Sequence, residues 1–521
     1  MSRRVIEKAR GSFNLAARVL DERVAAGDGA RVALRLGLPG EGLRTVTYAE
    51  LLDETHRLAN VLVALGVGRG DRVLVALPDG VPFVAAFLAT LEVGAVVAMA
   101  NPELPATDYA AQLAYTRAKV LVADDALARR AADAIAGVAA LIVGGTDAGR
   151  VASYEARVAA ASPRFEIAPT DADDEAVWLA TSGSTGAPRA AVHTHGSFAF
   201  CIDAYGVGVL GIGRDDVTLS VPKLYFGYAT GMSLLFPLAV GASAVLFPER
   251  PTPERLLALA AHHGATVLAL VPTLIAKLLA TPDTGRGALP RVRLATSAGE
   301  ALPVPLYARW KEAFGVELVE GLGAAELFHI HVSNHSDDVR PGALGRVVPG
   351  YEARVVRDDG GDAAEGEIGA LWVRGGSAAL RYEGDPERTR RTFREDGWVA
   401  TSDKVRREGD VFFFEGRSDD MLKVGGIYVS PLEVENVLLE HPAVAECAVV
   451  AYEDEAGLVK PKAVVVPRAR DAEGDSLLQE LGAFARARLA AFKVPRRWEL
   501  RPSLPRNDRG KLVRRDLRGA S

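Results

Sequence analysis

The most chemically suggestive stretch of the chain is Leu179-Ala-Thr-Ser-Gly-Ser-Thr-Gly-Ala-Pro-Arg189, where small hydroxyl residues and glycines follow an apolar run. Such a loop brings backbone N–H groups and Ser/Thr hydroxyls close to phosphate oxygens, and Arg189 adds positive charge. It is not a Walker A loop, because the G-x-x-x-x-G-K-[ST] spacing is missing. Taken alone, a Gly/Ser-rich string fits a flexible turn equally well. Histidines occur in pairs at His193/His195, His262/His263 and His329/His331, but none has a cysteine or carboxylate at a zinc-like spacing. Arg496, Arg497, Arg506, Arg509, Arg514 and Arg515 crowd the C-terminal region without interleaved aromatics. In a chain of net charge −6 they do not predict a nucleic-acid surface.

The elements that would hold such a loop are those of an α/β protein. Residues 71–77 read as a buried strand, 81–93 as a helix, 95–100 and 119–123 as further strands, and the pattern returns at 265–270 and 273–281. This rhythm predicts parallel sheets covered by helices. From about Ile368 the strands become shorter and antiparallel in texture, as at 411–415. After the charged stretch Gly416-Arg-Ser-Asp-Asp-Met421, a helix is expected at 431–440, strands at 445–452 and 463–466, and a helix at 476–490. A chain of 521 residues is too long for one hydrophobic core. The expected organisation is a large N-terminal domain of helix-flanked sheets over 1–417, a hinge at 418–420, and a smaller mobile α+β domain over 421–521. Apolar residues at 49% and charged residues at 25% are ordinary for a soluble protein. No apolar run suits a signal sequence or a membrane span. Two cysteines, Cys201 and Cys447, fit a reducing cytosol, so a cytoplasmic location is expected. Monomer and homodimer both remain open.

The loop Thr181-Ser-Gly-Ser-Thr-Gly-Ala-Pro-Arg189 resembles the signature of the adenylate-forming superfamily of acyl- and aryl-CoA ligases, peptide-synthetase adenylation domains and luciferases. Further segments resemble that family's motifs in the same order: Ser297-Ala-Gly-Glu-Ala-Leu-Pro303, Gly321-Leu-Gly-Ala-Ala-Glu326, Gly397-Trp-Val-Ala-Thr-Ser-Asp403, Gly416-Arg-Ser-Asp-Asp-Met-Leu-Lys-Val-Gly-Gly426 and Pro505-Arg-Asn-Asp-Arg-Gly-Lys511. The resemblance implies activation of a carboxylate by ATP as an acyl-adenylate with release of pyrophosphate, then transfer to coenzyme A. It assigns Thr181, Ser182, Gly183, Ser184, Thr185, Gly186 and Arg189 to the β- and γ-phosphates. Gly299, Glu300 and Ala301 match the segment along adenine, and Asp403 and Arg417 the pair on the ribose hydroxyls. Glu326 matches the Mg²⁺ ligand, a hard cation suited to carboxylate and phosphate oxygens. Lys511 matches the lysine that contacts the carboxylate and α-phosphate and neutralises charge building at phosphorus. Asp419 matches a hinge about which the C-terminal domain rotates between half-reactions. Gly425 and Gly426 would then admit the pantetheine arm, with Lys423 supporting thioester formation.

Two positions depart from the family pattern. Arg189 stands where Pro-Lys-Gly is usual, retaining charge and adding a planar fork for phosphate. Ala325 replaces a threonine whose hydroxyl touches the α-phosphate, a loss of about 1–3 kcal/mol. The acid pocket is expected between 223–231 and 321–330, with Phe226, Gly227, Tyr228, Leu322, Gly323, His329 and Ile330 in contact with substrate. These segments are similar to the benzoate-CoA ligase branch. Phe226 and Tyr228 would give flat walls and His329 a polar edge. None of 221–231 is acidic, unlike an amino-acid-activating domain. Gly227 stands where benzoate-type ligases commonly carry alanine, which predicts room for an ortho substituent and acceptance of 2-aminobenzoate. The alternatives are an adenylation enzyme loading a carrier-protein thiol, and an adenylate-binding homologue without turnover.

Overall fold

The computed structural model describes residues 11–181, 189–282, 284–285, 287–424, 427–454, 458–468, 474–506 and 512–518. Two large sheets dominate the N-terminal region. One runs, in spatial order, Arg346–Val347, Ile330–Ser333, Glu317–Gly323, Leu294–Ser297, Val267–Leu270, Val217–Ser220, Ser243–Leu246, Val32–Leu36 and Arg44–Thr47. Its interior is parallel and its edges antiparallel. The other runs Arg381–Tyr382, Ala190–Thr194, Glu175–Ala180, Val96–Met99, Arg72–Ala76, Val120–Asp124, Ala139–Val143 and Val151–Ser153. The parallel strands are near-continuous apolar runs because both of their faces are covered.

Helices fill the space against these sheets. In Val81–Glu92 every residue except Pro82 is buried, so the segment has no polar stripe to betray its helical period. Helix Tyr48–Ala64 packs beside it and starts at a capping box in which Thr47 and Glu50 satisfy each other's backbone donors. A second reciprocal cap, Thr194 with Ser197, turns the strand Ala190–Thr194 directly into helix His195–Cys201. Cys201 lies fully buried in that helix, with Sγ 3.3 Å from the Tyr351 hydroxyl, as plain packing requires.

A four-stranded antiparallel sheet follows, made of Glu352–Val356, Gly369–Arg374, Val399–Glu408 and Val411–Arg417. Its apolar residues join the main N-terminal core as far as Phe412 and Phe414. A second core starts at Leu422 and gathers Val429, Val434, Leu438, Val449, Val465 and Leu481. It is built on the hairpin Leu422–Val424 with Ile427–Val429, the sheet Val444–Glu453, Val459–Pro467 and Arg497–Leu500, and the helices Pro431–Leu439 and Gly474–Arg486. Among the described residues no helix is long and apolar enough to cross a membrane.

Candidate active site

The segments singled out in sequence converge through the edges of the two sheets. Glu175–Ala180 and Ala190–Thr194 form an antiparallel hairpin, closed by the Thr181 amide donating to the Arg189 carbonyl at 3.0 Å. Thr181 and Arg189 therefore bracket the loop. Its tip, with Ser182, Gly183, Ser184, Thr185 and Gly186, lies outside the described residues, as do Gly425, Gly426 and Lys511. On the far side of Ala190–Thr194 the two-residue strand Arg381–Tyr382 pairs with it. The Tyr382 hydroxyl donates a short hydrogen bond to Glu326 Oε1. The loop and the carboxylate, 140 residues apart in places, are thus tied by one strand and one phenol. Tyr382 carried no local signal in sequence, since only strand pairing brings it to Glu326.

Glu326 sits in the 3₁₀ turn Ala325–Leu327. This turn is fastened at both ends. His193 Nε2 donates to the Ala325 carbonyl at 2.7 Å, and the Ala379 amide donates to the Glu326 carbonyl at 2.9 Å. Ala325 thus contributes its carbonyl to scaffolding while offering no hydroxyl to a phosphate. The next residue but one, Phe328, adopts φ of 63°, a conformation rare outside glycine and typical of sites held by their surroundings. Its ring packs on Phe198 with centroids 4.2 Å apart, which holds it there.

Asp403 and Arg417 are directly paired across the antiparallel strands, with Arg417 Nε 3.9 Å from Asp403 Oδ1. The guanidinium also donates to the Ser402 hydroxyl. Gly299, Glu300 and Ala301 follow the strand Leu294–Ser297 at its carboxyl end, where open α/β sheets bind ligands. Two hydroxyls, Thr181 Oγ1 and Ser297 Oγ, are buried without a hydrogen-bond partner among the described residues. A buried hydroxyl left so is costly, and a nucleotide between these two segments would satisfy it.

The acid-pocket segments are also brought together. Tyr228 OH lies 2.5 Å from Thr296 Oγ1, tying helix Gly227–Thr230 to the strand that leads into the adenine segment. His329 Nε2 lies 3.1 Å from the Tyr228 carbonyl, which can only accept, so Nε2 carries the proton. Burial pushes the His329 imidazole down to about 3 and holds it neutral, leaving Nδ1 as an acceptor with no partner among the described residues. At 2% exposure, with the rings of Tyr205, Tyr228 and Phe236 around it, His329 is an inner wall rather than the open polar edge expected from sequence. Gly231, not singled out in sequence, permits this: a Cβ there would stand 2.5 Å from His329 Cδ2. Gly227 differs from expectation too. Its missing methyl would meet Leu179 Cδ2 and the Phe328 oxygen, each at 3.0 Å, rather than open space. Leu322 and Gly323 pair with Val332 and Ile330 across an antiparallel edge, and the Phe226 ring packs at a tilt against Tyr225 with centroids 4.5 Å apart. Asp79 accepts from the Leu224 amide at 2.8 Å and faces Lys223, fixing the start of this segment. Burial pushes Asp79 up to about 6.

The C-terminal segment meets the rest at two places. Arg506 Nη1 lies 3.6 Å from Glu300 Oε1, which sets Arg506 beside the adenine segment. Lys423 and Tyr428 instead face Asp358, at 3.9 and 2.8 Å. Asp419, between the two cores, accepts from Arg518 through its carbonyl at 2.6 Å.

Two helix-covered sheets with a Ser/Thr-Gly loop at the edge of one, a carboxylate turn across from it, and a small α+β C-terminal unit define an adenylate-forming enzyme. The chain belongs to the AMP-binding enzyme family: residues 21–383 match that family and residues 433–511 its C-terminal domain. Benzoate–CoA ligase of Thauera aromatica is 41% identical over 499 residues, spanning 93% of this chain and 94% of that protein. A benzoate CoA ligase from Burkholderia xenovorans has the same fold with TM-score 0.88 and 37% identity over 97% of this chain and 100% of that one. An anthranilate CoA ligase in complex with anthranoyl-AMP aligns with TM-score 0.90 and 34% identity, covering 97% of each chain.

Proposed function

We infer that this protein is an ATP-dependent aryl-CoA ligase, which activates an aromatic carboxylate as its adenylate, releases pyrophosphate and transfers the acyl group to coenzyme A. The observation that carries the reading is the joining of three segments through two side-chain contacts. Tyr382 links the phosphate-loop hairpin to Glu326, and Tyr228 links the acid-pocket helix to the strand entering the adenine segment. A nucleotide and a flat acid bound there would meet across the turn 325–329. Glu326 would hold Mg²⁺, which offsets phosphate charge when bound. Tyr382 orients that carboxylate by occupying one of its oxygens, and Asp403 with Arg417 presents an acceptor and a donor to ribose hydroxyls. Lys511, five residues after Arg506 in sequence, would supply a cation where charge develops at phosphorus.

For the second half-reaction the C-terminal domain would turn about Asp419 and present the 423–426 loop. No hydrophobic cluster among the described residues spans 418–420, which supports that division into 1–417 and 421–521. For the acid, we propose 2-aminobenzoate as a substrate at least as good as benzoate, with 2-hydroxybenzoate next. The similarity to an anthranilate CoA ligase in complex with anthranoyl-AMP supports an acid with an ortho-amino group. Both cysteines are free thiols, in keeping with a cytoplasmic setting. Pyrophosphate release from ATP with each candidate acid, followed by comparison of free coenzyme A with a carrier-protein thiol as acceptor, tests the assignment. Pyrophosphate release with no aromatic acid, or thioester only on the carrier protein, would overturn it.

A further inference from the structure

Away from the nucleotide and acid segments, three elements bring three potential ligands to one point. Asp21 ends the π-helical turn Ala17–Asp21, His56 lies inside helix Tyr48–Ala64, and Glu92 is the last residue of helix Val81–Glu92. One donor atom from each lies within 4.8 Å of the others. His56 Nε2 is 3.1 Å from Asp21 Oδ1 and 3.8 Å from Glu92 Oε1. Around a zinc ion with bonds of about 2.0–2.2 Å, tetrahedral ligand atoms stand roughly 3.3–3.5 Å apart, so the observed separations bracket that spacing.

The hydrogen bonding points the same way. His56 Nδ1 lies 3.1 Å from the Pro163 carbonyl, which can only accept, so Nδ1 carries a proton. Nε2 faces two carboxylates and donates to Asp21 Oδ1, so a metal ion bound here would displace that proton. A carbonyl or carboxylate on the distal nitrogen is the usual partner of a metal-binding histidine. Glu92 is fully buried, and neither of its oxygens, nor Asp21 Oδ2, has a hydrogen-bond donor among the described residues. His56 Nε2 serves Asp21 Oδ1 alone, which leaves both Glu92 oxygens and Asp21 Oδ2 for a cation to satisfy. Burial, with Asp21 beside it, pushes Glu92 up to about 9, so without a cation it keeps a proton, which a single divalent ion balancing both carboxylates would displace.

We propose that Asp21, His56 and Glu92 form a binding site for a divalent transition-metal ion, with Zn²⁺ the preferred occupant, distinct from the nucleotide-associated Mg²⁺. One nitrogen with two carboxylates suits Zn²⁺, Co²⁺ or Mn²⁺ better than Mg²⁺, which favours oxygen ligands alone. The ion would pin the N-terminal turn 17–21 to the two helices beneath it. Its side facing solvent, where His56 and Asp21 keep 13% and 22% exposure, leaves room for a water as fourth ligand.

The test uses full-length protein stripped with a chelator, dialysed against Zn²⁺ with excess Mg²⁺, and then freed of loose metal. Wild type is expected to retain one more Zn²⁺ per chain than His56→Gln or Glu92→Gln, and to gain about 2–4 °C in thermal midpoint that both variants lack. Co²⁺ in place of Zn²⁺ should give visible absorption bands in wild type alone, while adenylate formation stays the same in all three proteins. Should Glu92→Gln fail to fold, His56→Gln at the accessible edge decides by itself. Equal zinc content and equal midpoints in wild type and His56→Gln would overturn the proposal and leave a cluster bridged by shared protons.

Discussion

A methyl group added at Gly227 probes the acid pocket most directly. In Gly227→Ala the new Cβ would stand 3.0 Å from Leu179 Cδ2 and 3.0 Å from the Phe328 carbonyl oxygen. Leu179 ends in a methyl that can swing aside. The carbonyl cannot, because Phe328 is already held at φ of 63° by its packing on Phe198. Contacts this tight in a packed interior cost about 1–3 kcal/mol until something yields. What yields is Leu179 or the turn that carries His329, and either movement narrows the space around the substrate ring. Benzoate has no ortho group to lose room for, whereas 2-aminobenzoate does. A difference of about 1–3 kcal/mol in the transition state corresponds to roughly 10–200-fold in relative kcat/KM. The hypothesis therefore predicts that Gly227→Ala lowers kcat/KM for 2-aminobenzoate by that factor relative to benzoate. The assay is initial-rate pyrophosphate release over a concentration series of each acid. An unchanged ratio, or a wild-type enzyme that prefers benzoate or an aliphatic acid, would exclude Gly227 as the source of ortho selectivity.

Four further expectations concern the catalytic cycle. Lys511→Ala should abolish adenylate formation yet spare most thioester formation from supplied aryl-adenylate; equal loss of both half-reactions would remove the assigned role. Asp419→Pro fixes φ near −65° and should leave adenylation intact while coenzyme A transfer collapses, so normal overall turnover would exclude Asp419 as hinge. Tyr382→Phe removes a hydrogen bond to the Glu326 carboxylate, a contact of about 1.5–3 kcal/mol, and should raise the Mg²⁺ concentration needed for half-maximal adenylation by roughly tenfold or more. A Mg²⁺ dependence identical to wild type would show that Tyr382 does not position Glu326. Asp358 holds Lys423 and Tyr428 in the orientation seen here through exposed contacts worth about 0.2–1 kcal/mol each. If these contacts must break before Lys423 can support transfer, Asp358→Ala should speed thioester formation only a few-fold, and a slower transfer step would exclude that role for Asp358.

Much of the architecture could be read from the chain because its signals are local. Alternating Val-rich runs and helices specify parallel sheets wherever both faces are covered, and residues 72–76, 81–92 and 96–99 fall where the pattern predicts. The ordered motifs likewise fix which segments must meet, since a glycine-rich turn or a terminal carboxylate carries its chemistry in its own residue types. The sequence cannot carry contacts that arise only when distant strands pair. Tyr382 reaches Glu326 because a two-residue strand joins the edge of a sheet, and no spacing between the two residues encodes that. His329 looked like an available polar edge by residue type. Three surrounding aromatic rings and the absence of a side chain at Gly231 turned it into a buried neutral wall. The Asp21–His56–Glu92 cluster was invisible for the same reason. Each ligand comes from a different element, and Glu92 sits at the end of a helix buried everywhere except at Pro82, a burial that its composition does not announce. Residue types set what each segment is able to do, and tertiary packing decides which groups face one another and in which protonation state, because burial and partners act through space rather than along the chain.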